Sequence, residues 1–443
     1  MIDLSPETIT IMMFGGLLIG LFMGHPLAFV LGGLSIIFGL IGWGPESAYM
    51  LVNNVYGVMN GYILVAIPLF ILMSQFLDIS GVAGELFKTM RYVFGPLRGG
   101  LAVTVVIVST LFGACTGIIG ASVVTMGLIS MPVMLKYGYD KRLTSGVICA
   151  GGALGILIPP SIMLIIMGEA SSTSVGKLFA GAIIPGLILS SLYIGYILIK
   201  CYLNPEYGPG LSQEERDEVT TKEILIMVVK TMLPALALIL GVLGSIFTGF
   251  ATPTEAAGVG AFLSFLLMVA YGKFTWEKFF QALIEATKIT SMVIFVLVGA
   301  ACFSAIFMAV GGGDIVSNFI IGIGLGKWGT YIVMMLIIFV MGLFIDWTAI
   351  VMITFPIFLP IADQLGFDRV WFVVSIAVML QDSFLTPPFG YALFYLKGVA
   401  PPEVKTKDIY WGTFPFWRLM ELGLIIVCVF PETVLWLPSI LVK

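Results

Sequence analysis

The sequence predicts an all-α polytopic membrane protein with two re-entrant helical hairpins set in inverted repeats. Three observations predict it. Of 443 residues, 59% are hydrophobic and only 10% charged, where a soluble domain carries about 25% charged residues. Many apolar runs exceed the roughly 18 residues that only a membrane span needs. The second half also repeats the punctuation of the first at a fixed offset. Open strands cannot cross lipid, because their backbone groups would lack partners, and the alternation of an outer-membrane barrel is absent. At roughly 20 apolar residues per span, the chain supports about eleven transmembrane helices besides the re-entrant pieces.

Composition also excludes. The net charge is −4, and no nucleic-acid partner is expected. Five cysteines, Cys115, Cys149, Cys201, Cys302 and Cys428, have no paired spacing, so they read as small packed residues and not disulfides or metal ligands. The single histidine, His25, sits in Gly24-His25-Pro26 and reads as a turn residue; a zinc or haem site is not expected. No Walker A string is present. The polar, acidic start lacks the basic region of a cleaved signal, so the first span is expected to act as its own insertion signal.

Taken in order, residues 11–42 form a long apolar run broken at Gly24-His25-Pro26, because Pro removes a helix hydrogen bond and disfavours helix before it. Residues 49–77 form another. Residues 84–98 are amphipathic, with Lys88, Arg91 and Arg98, and suit the interface. Residues 101–135 are apolar yet rich in glycine around Gly113, Gly117 and Gly120, which predicts a tight hairpin. A charged loop, 136–142, leads to a run broken at Pro159-Pro160. Residues 1–203 thus make a first half with hairpin 1 and a broken helix at 155–160. Residues 204–222 hold Glu206, Glu214, Glu215, Arg216, Asp217 and Glu218 and read as a solvated linker. Residues 223–443 make the second half, with a break at Gly311-Gly312-Gly313, hairpin 2 over 341–361, a broken helix at 382–388, and a tail whose Trp411, Trp417 and Trp436 suit an interface-anchored helix.

The repeat has an offset of 228 residues: Pro132 pairs with Pro360, Gly138 with Gly366, Tyr139-Asp140 with Phe367-Asp368, and Pro159-Pro160 with Pro387-Pro388. The first loop carries Lys136, Lys141 and Arg142, and the second carries Asp363, Asp368 and only Arg369. Basic loops stay cytoplasmic, so the halves are expected to be inverted. Paired broken helices in inverted halves point to a transport site near the midplane. A break frees backbone groups that lipid would penalise by several kcal/mol each. They are tolerable where carbonyls hold a cation such as Na⁺ and helix N-termini face a carboxylate. The alternative is a pair of kinks that only shape a bundle.

The run Gly151-Gly152-Ala153-Leu154-Gly155-Ile156-Leu157-Ile158-Pro159-Pro160-Ser161, with Thr252-Pro253-Thr254-Glu255-Ala256-Ala257, Leu385-Thr386-Pro387-Pro388-Phe389-Gly390 and Gly176-Lys177-Leu178-Phe179-Ala180-Gly181, resembles the large membrane subunit of the tripartite ATP-independent periplasmic transporters. The resemblance covers essentially the whole chain. It implies a sodium-coupled elevator in a bacterial inner membrane, driven by Na⁺ as coupling ion. It also implies a small membrane subunit as partner and a periplasmic binding protein that delivers a small organic anion. Two stretches depart from the common pattern. The first hairpin tip lacks the usual serine-rich form, and Gln381-Asp382-Ser383-Phe384 stands where many members have apolar or glycine residues. Residues 380–401 resemble the branch associated with 2-oxo acids and related monocarboxylates more than the sialic-acid branch.

Candidate sodium ligands follow. In the first half they are Thr116 and Gly117 at the hairpin tip, with Gly152, Gly155 and Pro159 opposite; the alternative is close packing of small residues. In the second half Asp346 lies inside an apolar run, where a carboxylate is costly and usually functional. Thr348 is beside it, and the alternative is a helix cap. Asp382 and Thr386 on the broken helix are candidates to bind a cation or gate the site, against a simple polar pairing. Glu255 fits a capping box with Pro at the first helical position, and Lys288 fits snorkelling to the interface. Gly311-Gly312-Gly313-Asp314 and Tyr139-Asp140 match the strings of an intramembrane aspartyl protease, but Tyr139-Asp140 falls in a charged loop. A proton-coupled carrier of the same architecture remains the nearer alternative. A channel is disfavoured by an inverted repeat within one chain.

Overall fold

The computed structural model describes residues 4–117, 119–211 and 219–442, without the side chains of residues 114–116. The acidic cluster at 214–218 lies outside the described residues. The chain runs through α1 (Pro6–Phe22), α2 (Leu27–Gly42), α3 (Ser47–Met59), α4 (Ala66–Ser80), α5 (Val82–Phe94), α6 (Gly100–Thr116), α7 (Ile119–Lys136), α8 (Lys141–Leu157), α9 (Ile162–Ser171) and α10 (Val175–Leu203). It continues through α11 (Thr221–Phe247), α12 (Pro253–Ala270), α13 (Trp276–Ala309), α14 (Gly312–Gly322), α15 (Gly326–Gly342) and α16 (Trp347–Gln364). It ends with α17 (Arg369–Leu380), α18 (Asp382–Leu385), α19 (Tyr391–Val399), α20 (Thr406–Val429) and α21 (Glu432–Leu441). Among the described residues no strand occurs.

Among the described residues 8 helices are long and apolar enough to cross a membrane, or 9 if the bent pair α8–α9 is one span. Further apolar helices, α1, α2 and α15 among them, are 10–17 residues long. The long runs read from the sequence are therefore subdivided: residues 11–42 become α1 and α2, parted at Gly24 and His25 as the Gly-His-Pro string requires. The capping box at Thr252 and Glu255 forms, with Pro253 at the start of α12. Residues 205–211 are tied down: Gly208 O accepts from Gly99 N at 2.8 Å, and Leu211 N donates to Gly95 O at 2.8 Å.

The repeat reaches further than the residues that announced it. Helices α7 and α16 begin at Ile119 and Trp347, α8 and α17 at Lys141 and Arg369, and α8 and α18 end at Leu157 and Leu385, each pair 228 residues apart. Asp140 caps α8 by accepting from Arg142 N and Leu143 N, and Asp368 caps α17 by accepting from Trp371 N. Gly138 and Gly366, just before, both take a left-handed φ, +75° and +69°, which a side chain resists. Both Pro-Pro bonds are cis.

The halves are inverted. Broken helix α8–α9 ends at Ser171, whose carbonyl accepts from Arg369 at the start of α17. The second broken helix, α17–α18–α19, leads to the loop where Glu403 O accepts from Lys141 Nζ at 3.0 Å, at the start of α8. Each therefore begins where the other ends. Two bodies result. Helices α2, α3, α4, α12 and α13 pack on one another as a frame, while α6–α9 and α15–α20 form a hairpin body.

Candidate functional site

Hairpin 1 is α6–α7, and its tip meets the first break. Gly117 ends α6 with φ +60°, and a Cβ there would stand 3.3 Å from Ile162 N. Behind the tip the helices touch backbone to backbone: a Cβ on Gly113 would collide with Gly155 Cα, and one on Gly152 with Val123. Only glycine permits such an approach. At the break α8 and α9 bend by 42°. Ser161 donates to the Ile156 carbonyl and caps α9 by accepting from Leu164 N. Pro159 is buried beside it.

Hairpin 2 is α15–α16, wider than the 341–361 expected, with its tip at residues 343–346. Asp346 is the N-cap of α16 and accepts from Thr348 N at 3.0 Å. The capping role weighed from sequence is thus present. Gly342 packs on Ser383, the residue 228 beyond Gly155. At the second break Thr386 donates to the Asp382 carbonyl at 2.8 Å, as Ser161 does at the first.

Both tips and the residues that flank both breaks line one cavity of about 530 Å³ against the frame. From the body come Gly117, Ile162, Asp346, Thr348, Phe384 and Tyr391. From the frame come the start of α2 at Pro26 and the middle of α13 at Met292 and Phe295. Among the described lining residues Asp346 is the one charged group, and Tyr391 and Tyr395 face the same space. Apart from the Thr348 hydroxyl the other walls are apolar, a surface suited to a small ligand held by few polar groups.

Of the sequence candidates, Gly117, Asp346 and Thr348 line the cavity. Thr116 ends α6, with its side chain outside the described residues. Gly152 and Gly155 pack against hairpin 1, and Pro159 and Thr386 sit in the breaks. Asp382 is buried and is not among the described lining residues, whereas Phe384, two residues on, reaches the cavity. Sequence reasoning missed Trp347, Tyr391 and Tyr395. The tyrosines directly follow the second break, so their place after Pro387-Pro388-Phe389-Gly390 was the available signal. The frame's share carries no local mark.

Asp140 is a cap and Tyr139 Oη accepts from Leu101 N at 3.1 Å, whereas Asp314 sits in the first turn of α14. The protease strings therefore serve turns and caps.

The profile described as "Tripartite ATP-independent periplasmic transporter, DctM component" matches residues 14–433. The chain belongs to this family. As a DctM component it is a part of a transporter that does not use ATP, and it is not an enzyme. It is 31% identical over 408 residues to a Pseudomonas aeruginosa protein named C4-dicarboxylate TRAP transporter large permease protein DctM, spanning 92% of this chain and 93% of that one. A Vibrio cholerae protein of the same name is 32% identical over 448 residues, spanning 96% of each. The fold also matches the crystal structure of the Alcanivorax borkumensis YdaH transporter, at a TM-score of 0.62 and 16% identity, over 96% of this chain and 98% of that one.

Proposed function

We propose that this DctM component is the large permease subunit of a sodium-coupled carrier in a bacterial inner membrane, and that it takes up a small organic anion. The observation that carries this reading is the convergence of two hairpin tips and two broken helices on a single cavity. Such breaks at membrane depth present backbone carbonyls to a cation and helix N-termini to an anion. Sodium is written here as co-substrate. At the first break Thr116, Gly117, Gly152, Gly155 and Pro159 supply or position backbone oxygens. At the second, Asp346, Thr348 and Thr386 supply a carboxylate and hydroxyls, the hard ligands that such an ion takes. The organic anion sits between the tips and the frame, near Tyr391 and Tyr395. A 2-oxo acid or related monocarboxylate suits walls with no basic side chain among the described residues.

The body then slides as a unit against the frame, carrying cavity and ions, in an elevator cycle. A small membrane subunit packs on the frame, and a periplasmic binding protein delivers the anion. The test is reconstitution of the chain with that subunit and that protein in liposomes. Uptake should require an inward sodium gradient; uptake that ignores sodium and follows a proton gradient would transfer the coupling to protons.

A further inference from the structure

The cavity between body and frame has two unlike faces. Every polar side chain on its described lining belongs to the body: Asp346 and Thr348 at the start of α16, Tyr391 and Tyr395 on α19. The frame's share is apolar throughout, with Phe29 of α2, Ile71 of α4, and Met292 and Phe295 of α13.

The frame wall is held from behind. A Cβ on Gly299 of α13 would stand 2.7 Å from Ala28 O, so α13 lies on the backbone of α2. One turn earlier on α13, Phe295 meets Phe29 edge to face, with centroids 5.1 Å apart and planes at 71°, a favoured aromatic geometry. On the body, Tyr395 is set against hairpin 1: a Cβ on Gly120 would stand 3.1 Å from Tyr395 Cζ. The rings of Phe389 and Tyr391 lie 5.9 Å apart. Both tyrosines are in electrostatic reach of Asp346. Among the described residues neither hydroxyl has a hydrogen-bond partner.

A hydroxyl facing an apolar cavity needs an acceptor. A carboxylate supplies acceptors alone and bonds a neutral donor strongly. Asp346 already puts one negative charge in this space, and no basic side chain on the described lining answers it. A cargo with two carboxylates would have to desolvate a second charge without a partner. A hydroxyl-rich sugar acid would lay its hydroxyls unpaired against the frame. An apolar tail is what the frame wall stabilises, in proportion to the area it covers. The volume, about 530 Å³, falls within the roughly 300–1,000 Å³ that encloses drug-sized ligands. A short acid such as pyruvate would leave much of that wall uncovered.

We propose that the ligand of this cavity is a monocarboxylate with a bulky apolar tail, aliphatic or aromatic. Its carboxylate accepts from the Tyr391 and Tyr395 hydroxyls on the body, and its tail lies on Phe29, Met292 and Phe295 of the frame. These residues set the specificity of the permease itself. The assignment rests on the transport reading above, and the experiment separates the two.

The full chain with its small membrane subunit is placed in nanodiscs at saturating sodium, without the binding protein, so that the permease's own preference is read. Calorimetric titration uses the straight-chain 2-oxo acids from pyruvate to 2-oxoheptanoate, then phenylpyruvate and 2-oxopentanedioate. The Kd falls about fourfold per added methylene, and phenylpyruvate binds more tightly than pyruvate. 2-Oxopentanedioate has the length of 2-oxopentanoate and a second carboxylate, and it binds at least about tenfold more weakly. Tyr391→Phe and Tyr395→Phe each weaken the whole series about tenfold, because a hydrogen bond to a charged group is lost. Phe295→Ala flattens the dependence on chain length, and Phe295→Leu, which keeps apolar bulk, restores part of it. An affinity indifferent to chain length overturns the proposal. So does tighter binding of the dicarboxylate than of its monocarboxylate match, or wild-type affinity in both tyrosine variants. Liposomes holding the complete transporter read the other claim. A chain-length dependence in nanodiscs, with no sodium-driven uptake in liposomes, sinks the transport reading and leaves the ligand assignment. Sodium-driven uptake of a dicarboxylate, with no affinity for the monocarboxylates, does the reverse.

Discussion

The two breaks share one geometry and differ in chemistry. At the first, the helix behind the hairpin is bare: Gly155 lies on Gly113, and the neighbours at 153 and 154 are Ala and Leu. At the second, the equivalent positions are Ser383, Gln381 and Asp382, and the hairpin tip brings Asp346. The first break offers backbone; the second offers carboxylates as well. Duplication preserved caps, turns and prolines, which set the path of the chain, and let the side chains beside the breaks diverge. A repeat is thus a guide to where a site lies and a poor guide to what it binds.

The comparison can be broken at its strongest contact. Gly155→Leu drives a side chain into the backbone of α6, where nothing flexible can yield. Overpacking of this kind costs at least about 1–3 kcal/mol, and a sharp loss of monodisperse protein after detergent extraction is expected. Normal yield and uptake would mean that the halves do not pack as closely as their glycines require.

Next in size is the carboxylate that marks the second break. Asp346→Asn keeps a good cap residue for α16 while removing the charge. The half-saturating sodium concentration should rise about tenfold, equivalent to roughly 1.4 kcal/mol, with the melting temperature nearly unchanged. Unaltered sodium dependence would leave Asp346 as a cap alone.

The smallest effect tests the symmetry itself. Asp140→Ala and Asp368→Ala remove matched caps, and each should cost about 1 kcal/mol, read as similar falls in melting temperature. A large difference between them would show that the two broken helices are held in unlike ways.

Much of this architecture was legible in the sequence because its signals are local. Asp140 and Asp368 cap helices that begin one residue later, and Gly138 and Gly366 turn the chain just ahead of them. The prolines mark both breaks. What was hidden depends on distant contact. Nothing near Gly113 announces Gly155. The cavity's far wall, from Pro26 to Phe295, comes from helices whose apolar residues look like any others that face lipid. Asp382 was legible as a costly buried residue, but not that Phe384, two residues on, is the one that reaches the cavity, because sequence spacing does not resolve facing across a break.

The bonds from Arg369 to Ser171 and from Lys141 to Glu403 close the body end to end. Each mouth of the protein is therefore framed by one beginning and one ending, drawn from opposite copies. In the proposed elevator cycle, facing outward or inward exchanges like parts for like parts, so neither pose needs a spring to hold or release it, and the gradients on either side set the direction of the cargo.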